Sequence, residues 1–537
     1  MFYEEMALGK LFEKRTAEFG DKTYLIYAGK EYSYKEMNEK ISQVANALLR
    51  AGVKKGMTVN LHCPNCPEFL FTFYAAARIG AILTPSNLLL TQREAGYVIN
   101  HCEAVITVTQ PAFLELIKAI KPECSNLKQI VVVGGEKSEG DVITWNDFVS
   151  GASTEVDAKI KEAPQAGDVF VTMYTSGTTA MPKGVMLTHQ NIISAAHSWM
   201  WLSGFTTKDR TMTGWPLYHA NALFYNVVGS LVFGASILLL DKLSPTTLLK
   251  DATQHNVTHC NFSGPAMAIM LSQPEDPSDA LNTVRVVTSG MGTPEMIAKW
   301  RNRFKIEVVM VYTLTECACA TSSPVSGPHP IKYGSIGWAA PSLPYPTEVR
   351  VVDDSGNDTA PGVIGEIIVR GPALMKGYFK DPEKTAETVR NGWLYTGDGG
   401  YRDEDGCFWF NDRLKDMLKP KGENVASVEV EAVIFDYPKV ADVGVIGVMD
   451  PVMGEEIKAS IVLVEGETAE TANPEEIIKW CQERLAKFKV PRYYEYRDTP
   501  IPRILGGAKI SKKDMRKEKA DNPKAGCYDA KTKKWLK

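Results

Sequence analysis

Residues 174–184 read Tyr-Thr-Ser-Gly-Thr-Thr-Ala-Met-Pro-Lys-Gly, and the apolar run Val-Phe-Val-Thr-Met precedes them at residues 169–173. The run has the composition of a buried strand, so the loop follows the carboxyl end of a strand, where α/β folds bind ligands. The loop is rich in groups that bind phosphate: the hydroxyls of Thr175, Ser176, Thr178 and Thr179, the backbone at Gly177, and the ammonium of Lys183. The segment therefore predicts a strand and a phosphate-binding loop in an α/β fold. The Walker A pattern is excluded because Lys183 is followed by Gly184 rather than by Ser or Thr.

Length and patterning predict an α/β fold with more than one domain. With 537 residues, the chain exceeds what one hydrophobic core usually supports. Strand-like runs at 284–288 and 308–312 alternate with amphipathic stretches such as 34–51, which predicts parallel sheets with crossover helices. From about residue 345 the runs become shorter and turn-rich, which predicts a smaller sheet. A new α+β pattern begins after the strand-like run at 407–410.

Composition and charge exclude several classes of protein. The chain is 44% hydrophobic and 23% charged, with a net charge of −4, so nothing global indicates nucleic acid or an anionic membrane as a partner. The first residues lack the pattern of a secretion signal, and the apolar stretch at 227–240 is too short to span a bilayer. Ten cysteines scattered over a large chain indicate reduced thiols. We therefore expect a cytoplasmic protein without an integral membrane segment.

Several motifs occur together in a fixed order. After residues 174–189 come Ser-Gly-Met-Gly-Thr-Pro at 289–294, Tyr-Thr-Leu-Thr-Glu at 312–316, Trp-Leu-Tyr-Thr-Gly-Asp at 393–398 and Gly-Gly-Ala-Lys-Ile at 506–510. The set resembles the signature of the adenylate-forming superfamily, which includes the AMP-forming acyl-CoA synthetases. Blocks at 65–69 and 422–425 are similar to the carnitine and crotonobetaine CoA ligase branch. Ala180 and Thr313 stand where the family more often has glycine.

The resemblance implies a nucleotide site. In such a site the Thr315 hydroxyl contacts the α-phosphate, Glu316 helps to hold Mg²⁺, and Tyr312 packs on adenine. Taken alone, Thr-Glu would also suit the first turn of a helix. Asp398 would accept hydrogen bonds from both ribose hydroxyls and Arg413 would reinforce them. The resemblance also implies a turn that borders adenine and the acyl group, formed by Gly290, Met291 and Gly292.

The resemblance further implies two domains that move relative to each other. The large N-terminal domain, residues 1–412, would contain mixed sheets, crossover helices and a small β-barrel-like subdomain. A hinge at 413–416, centred on Lys415, would precede a small mobile α+β domain at 417–537. That domain would supply Lys509 for adenylation, with Lys512 or Lys513 as alternatives, and Lys419 and Gly422 for thioester formation. Residues 509–537 carry eleven Lys or Arg against four Asp or Glu, so we expect a solvated basic tail, or one that contacts phosphate groups.

The expected function is ligation of a carboxylic acid to a thiol. ATP with Mg²⁺ would convert the acid to acyl-AMP, and CoA would then displace AMP. Tyr218, His219, Asn221 and Met291 match the acyl pocket, with His219 as a gating residue, and the relatives favour a short or medium, polar or branched acid. The alternatives are a carrier-protein thiol as acceptor, an aryl-CoA ligase, and a non-catalytic nucleotide-binding scaffold. The sequence leaves the oligomeric state open, a homo-oligomer included.

Overall fold

The computed structural model describes residues 5–155, 162–175, 182–244, 246–262, 264–289, 294–325, 329–342, 344–413, 416, 418, 420, 425–450, 454–504 and 509–536. For residues 264, 265, 450, 454, 504 and 509 the description covers the backbone only. The chain divides into two compact units. The first consists of Met1–Arg350 and Ile368–Tyr395, and the second of Val351–Ile367 and Thr396–Lys537.

A nine-stranded sheet with a parallel centre lies in the first unit. Its strands, in spatial order, are Trp338–Ala339, Cys317–Ser322, Glu307–Leu314, Val286–Ser289, His259–Phe262, Arg210–Thr213, Ser236–Leu239, Thr23–Tyr27 and Lys30–Ser33. The neighbouring pairs from Glu307–Leu314 to Thr23–Tyr27 are parallel, whereas both edges are antiparallel hairpins. Parallel neighbours require long crossover connections, which the helices supply.

An eight-stranded sheet in the same unit carries the predicted phosphate loop. Its strands, in spatial order, are Gly377–Tyr378, Lys183–Thr188, Val169–Thr175, Ile82–Pro85, Thr58–His62, Ala104–Thr109, Gln129–Val132 and Val142–Thr144. The pairs from Val169–Thr175 onward are parallel, and the first two strands run antiparallel to their neighbours. The predicted strand at 169–173 is therefore confirmed.

The predicted helix after residue 34 begins at a recognisable cap and buries one face. Tyr34–Arg50, close to the predicted 34–51, starts with a capping box between Ser33 and Glu36 and buries Met37 and Ile41. The α-helices of this unit are Leu8–Phe19, Tyr34–Arg50, Pro67–Ile79, Gln92–His101, Pro111–Ile120, Trp145–Val149, His189–Leu202, Gly229–Phe233, Leu248–Gln254, Gly264–Ser272, Pro294–Phe304 and Pro382–Thr388. Asn221–Val228 is a π-helix, and Lys121–Glu123 and Pro277–Ala280 are 3₁₀-helices.

The smaller sheet expected after residue 345 is present. Its strands are Glu348–Val352, Gly365–Arg370, Trp393–Arg402 and Val389–Arg390 in spatial order, and Phe408–Arg413 pairs with Trp393–Arg402. Asp403 stabilises the turn before Phe408–Arg413, because its Oδ1 accepts hydrogen bonds from Asp405 N and Cys407 N.

The second unit ends in a separate α+β body. Its main sheet contains Val440–Asp450, Gly454–Leu463, Tyr493–Tyr496, Tyr528–Asp529 and Lys534–Trp535, and Arg503–Ile504 pairs with Lys509–Ile510. Its helices are Ser427–Phe435, Pro474–Gln482, the 3₁₀-helix Lys487–Lys489 and Lys512–Glu518. The segment expected to be a solvated tail is folded: Tyr528–Asp529 pairs with Tyr493 and Tyr494, and Cys527 is fully buried, although basic side chains such as Lys517 and Lys533 are exposed. Backbone pairing and apolar burial outweigh the positive charge of the segment. The alternative, contact with phosphate groups, stays a prediction.

The α/β class with a large N-terminal part and a smaller C-terminal part is confirmed. The hinge at 413–416 and the boundaries on either side of it stay predictions, because Leu414 and Lys415 lie outside the described residues. In the part of the chain that the structure describes, no helix has the length and apolar character needed to cross a bilayer.

Candidate active site

The predicted phosphate loop connects the two strands of a β-hairpin. Val169–Thr175 pairs with Lys183–Thr188, and Thr175 lies opposite Lys183. Gly184 suits this close packing, since a Cβ there would lie 2.9 Å from Thr172 Cγ2 and 3.1 Å from Tyr174 Cζ. The structure thus places Thr175 and Lys183 together at the base of the loop.

Thr315 and Glu316 form the turn of a second hairpin. Glu307–Leu314 pairs antiparallel with Cys317–Ser322, and Leu314 lies opposite Cys317. The alternative of a helix N-terminus at this motif is therefore wrong. The strand after the turn is buried along its whole length, whereas Thr315 and Glu316 are partly exposed. The hairpin presents a hydroxyl and a carboxylate beyond the end of the sheet.

Tyr378 joins these two hairpins, although no sequence motif assigns it a role. Its hydroxyl donates a hydrogen bond to Glu316 Oε1 over 2.8 Å, and Lys183 Nζ lies 5.6 Å from the centre of its ring. The short strand Gly377–Tyr378 pairs with Lys183–Thr188, which fixes the ring beside Lys183. Burial, followed by the charge of Glu316, raises the pKa of Tyr378, so the hydroxyl keeps the proton that it donates. One side chain therefore links a cation at its face to a carboxylate at its hydroxyl.

These residues fit a magnesium-bound triphosphate. Mg²⁺ in nucleotide sites is typically held by one or two carboxylates together with phosphate oxygens and waters. Glu316 offers a carboxylate whose Oε1 is already oriented by Tyr378. Lys183 offers an ammonium group, whose compact positive charge suits binding to phosphate oxygens.

The predicted acyl segment forms a partly exposed stretch between buried elements. Tyr218, His219 and Asn221 are partly exposed, whereas Leu217 and Ala222 are buried. The rings of Tyr218 and His219 lie 4.6 Å apart. Burial lowers the pKa of His219 to about 4, so its imidazole is neutral at pH 7. The segment leads directly into the π-helix Asn221–Val228, and such helices occur frequently at functional sites.

A chain of amides leads from Asn221 toward the predicted adenine turn. Asn261 Nδ2 donates to Asn221 Oδ1 over 3.0 Å, and Thr288 Oγ1 donates to Asn261 Oδ1. Thr288 belongs to the strand Val286–Ser289, which ends directly before Gly290. The acyl segment and the strand Val286–Ser289 are thereby connected by two hydrogen bonds.

Asp398 and Arg413, the predicted ribose pair, are neighbours in the second unit. They lie opposite each other on antiparallel strands, and Arg413 Nε lies 3.0 Å from Asp398 Oδ1. The carboxylate is buried, whereas the guanidinium is about one-third exposed. Residues fifteen positions apart in the sequence thus form one ion pair, and their role in binding ribose stays a prediction.

Tyr312 is buried within the strand Glu307–Leu314. Of the two alternative lysines, Lys512 is buried with its Nζ atom 3.3 Å from Glu431 Oε1, whereas Lys513 is exposed.

The other predicted site residues lie partly or wholly outside the described residues. Lys509 starts a strand that pairs with Arg503–Ile504, and only its backbone is described. Leu418 and Val425 exchange two backbone hydrogen bonds of 2.9 and 2.8 Å, which closes the base of the loop that contains Lys419 and Gly422. The predicted residues outside the described part are Ser176, Gly177, Thr178, Thr179, Gly290, Met291, Gly292, Lys415, Lys419 and Gly422.

The cysteines have the character of structural residues. All ten are buried and free of disulfides, and Cys63 Sγ lies 3.5 Å from Cys66 Sγ. Burial raises the pKa of the Cys317 thiol to about 12 and also raises the pKa of Cys319. Both thiols therefore remain protonated at neutral pH and are poor nucleophiles.

Known proteins match the chain over most of its length. The model of the AMP-binding enzyme family matches residues 12–379, and that of the AMP-binding enzyme C-terminal domain matches residues 429–503. The crotonobetaine/carnitine–CoA ligase of Salmonella agona (strain SL483) is 33% identical over 524 residues, which cover 95% of this chain and 98% of that protein.

Solved structures agree with these matches. The anthranilate CoA ligase AuaEII in complex with anthranoyl-AMP superposes with a TM-score of 0.87 at 26% identity, covering 96% of this chain and 97% of that chain. ATP-bound MatB from Rhodopseudomonas palustris superposes with a TM-score of 0.84 at 29% identity, covering 96% and 99%. The family model spans both hairpins of the site, and the C-terminal model covers most of the final α+β body. The chain therefore belongs to the AMP-binding enzyme family.

Proposed function

We propose that this chain is an AMP-forming ligase that joins a short or medium-length polar carboxylic acid to CoA. The observation that carries the proposal is the arrangement of Lys183, Tyr378 and Glu316, in which one ring orients a cation and a carboxylate. A magnesium triphosphate needs both charges, one for its anionic oxygens and one for its metal. Acid–CoA ligase activity is also the activity named for the relatives described above.

In the first half-reaction, a carboxylate oxygen of the acid attacks the α-phosphate and pyrophosphate leaves. Mg²⁺, when bound, neutralises charge on the phosphate oxygens. Lys183 and Thr175 bind phosphate oxygens from the base of the hairpin loop, and the Thr315 hydroxyl donates to the α-phosphate. Lys509 provides the ammonium that bridges the acid and the α-phosphate. In this way the residues position the reactants and stabilise the charge that develops in the transition state.

In the second half-reaction, the CoA sulfur attacks the acyl carbonyl carbon and AMP leaves. Asp398 and Arg413 hold the ribose through both steps, because the buried carboxylate can accept hydrogen bonds from a diol. Rotation at Lys415 exchanges Lys509 for the loop that contains Lys419 and Gly422. One site thereby serves two reactions through a change of conformation.

The acid is polar and carries a cationic or hydrogen-bonding group. Tyr218 offers an aromatic face of the kind that binds a quaternary ammonium or similar cation. The neutral imidazole of His219 lies 4.6 Å from it, at an angle of 56°, and adds no positive charge that would repel such a cation. Asn221 adds an amide that is held from behind by Asn261. The 33% identity to a crotonobetaine/carnitine–CoA ligase supports the same class of acid.

The compartment is the cytoplasm in this proposal. All ten cysteines are free thiols in buried positions, which suits a reducing environment. The small-molecule partners are the acid, ATP and CoA.

Pyrophosphate release across a panel of acids tests the function. Short, medium, branched, zwitterionic and aromatic acids are supplied with ATP and Mg²⁺, each with and without CoA. We expect the highest turnover with a zwitterionic acid such as crotonobetaine, strict dependence on CoA for multiple turnovers, and AMP as coproduct. Adenylate that forms without being turned over by CoA would identify a carrier-protein thiol as acceptor, and preference for benzoate would identify an aryl-CoA ligase.

A pair of glutamate variants shows whether the turnover belongs to the proposed site. Glu316→Gln removes the carboxylate in the hairpin turn and should abolish release with every acid. Glu307→Gln changes a carboxylate at the start of the same strand, where it accepts from Tyr333, and should leave release intact. Equal loss in both variants would contradict the assignment of Glu316.

A further inference from the structure

Asn65 is a buried amide at the junction between the strand Thr58–His62 and the helix Pro67–Ile79, with 5% of its surface exposed. Its Nδ2 group donates to Trp215 O and to Leu240 O, each over 3.0 Å. Its Oδ1 atom accepts a hydrogen bond from Leu217 N over 2.9 Å. Both amide hydrogens and the carbonyl oxygen are thus used on backbone groups far away in the sequence.

Two of the three partners of Asn65, Trp215 and Leu217, directly precede the proposed acyl segment. Residues 214–219 belong to neither a helix nor a strand, so their backbone groups lack the partners that regular structure supplies. Leu217, held through its N–H group, immediately precedes Tyr218 and His219. Trp215 is fixed a second time, because its Nε1 group donates to Asn261 O over 3.0 Å. Asn261 in turn holds Asn221, so the two asparagines hold the segment at both ends.

We propose that Asn65 is a positioning residue for the acid. It holds the backbone just before Tyr218 and His219 and thereby fixes the positions of their side chains. This role rests on the proposed function. An asparagine is suited to this task because a single planar group carries two donors and an acceptor. Loss of the amide leaves two partly buried carbonyls and one buried N–H group without their partner. The segment then moves, and binding of the acid weakens while binding of ATP does not.

Steady-state kinetics test this role through a split between two Michaelis constants. Asn65→Ala should raise the KM of the acid about tenfold and leave the KM of ATP within about twofold, since the hydrogen bonds to Trp215 and Leu217, which hold the backbone before the acyl segment, are lost. Crotonobetaine and benzoate serve as probe acids. Asn65→Ser, which keeps a hydroxyl that can replace one of the bonds, should fall between Ala and the wild type, and it serves alone if the Ala variant does not fold.

Asn60→Ala is the matched control. Asn60 lies in the adjoining strand, is fully buried, and also donates two hydrogen bonds from Nδ2, to Thr84 O and Ser86 Oγ. Its partners are not in the acyl segment. We expect Asn60→Ala to lower the midpoint of thermal unfolding as Asn65→Ala does, with both Michaelis constants unchanged.

Hydrogen–deuterium exchange of the peptide that covers residues 215–220 needs no substrate. In Asn65→Ala its amides should exchange at least tenfold faster than in the wild type, and in Asn60→Ala they should not. A parallel rise of both Michaelis constants, an equal effect of Asn60→Ala, or unchanged exchange would overturn the role of Asn65. A wild-type chain that turns over no acid would instead refute the proposed function, and unchanged exchange in Asn65→Ala would then still refute the positioning role.

Discussion

The hydrogen bond between Tyr378 and Glu316 allows a quantitative prediction. In Tyr378→Phe the ring stays in place while the donor to Glu316 Oε1 is lost, which removes a bond of 2.8 Å made by a tyrosine that is 7% exposed. A hydrogen bond to a charged group contributes about 1.5–3 kcal/mol. Because Glu316 is partly exposed, water replaces part of this bond, so we expect the lower end of the range. Since about 1.4 kcal/mol corresponds to a factor of ten, we expect a roughly tenfold fall in kcat/KM for Mg-ATP.

The assay combines rates with binding. Pyrophosphate release is measured against Mg-ATP at several Mg²⁺ concentrations, and calorimetry gives the affinity for Mg-ATP without turnover. Tyr378→Phe should require more Mg²⁺ for half-maximal rate and bind Mg-ATP more weakly. Tyr378→Ala also removes the ring beside Lys183, a contact of about 0.5–1 kcal/mol. We therefore expect a further loss of about threefold in that variant.

The same kind of bond occurs at the other end of the strand and supplies the control. Tyr333 donates to Glu307 Oε1 over 2.9 Å, and Glu307 begins the strand that ends at Leu314. Tyr333→Phe should leave the Mg²⁺ dependence unchanged. The reasoning is refuted if Tyr378→Phe stays within twofold of the wild type, or if Tyr333→Phe shows the same Mg²⁺ dependence as Tyr378→Phe.

Three more predictions concern other parts of the chain. Lys509→Ala should cripple acyl-AMP formation yet leave thioester formation from supplied acyl-AMP largely intact, and equal loss in both half-reactions measured separately would contradict its role. Asp398→Asn and Arg413→Ala should each raise the KM of ATP. Because the two groups form one ion pair, the free-energy change in the double variant should be smaller than the sum of the two single changes. Additive changes would show that the two residues act independently. Burial lowers the pKa of His62 to about 4, from a value near 6.5 in the unfolded chain. Between these two pH values the unfolded chain binds more protons than the folded chain, so the free energy of unfolding falls as the pH drops from about 6.5 to 4. His62→Phe should remove about 2 kcal/mol of that decline, measured as urea unfolding at pH 7 and pH 4.5, and an unchanged decline would exclude His62 as a source.

Local motifs predict much of the site. The apolar run at 169–173 and the hydroxyl-rich loop after it are adjacent in the sequence, so composition alone indicates a strand that ends at a phosphate loop. Motif spacing pairs Asp398 with Arg413, and the hairpin register brings them together. The alternative of a helix that begins at Thr315 and Glu316 is wrong, because it rested only on the preference of these two residue types for the first turn of a helix. Pairing of Cys317–Ser322 with the preceding strand decided the outcome.

The order of residues along the chain establishes which chemical groups the protein has and how the motifs follow one another. It identified the α/β class, the family and most of the groups proposed to contact ATP, because each motif is a short segment whose chemistry follows from adjacent residues. Contacts between residues far apart in the chain, in contrast, become visible only in the folded protein. Tyr378 meets Glu316 across 62 positions, and Asn65 meets Leu217 across 152. Such contacts depend on strand order and register, which arise from packing of the whole core and leave no periodic signal in the residues concerned.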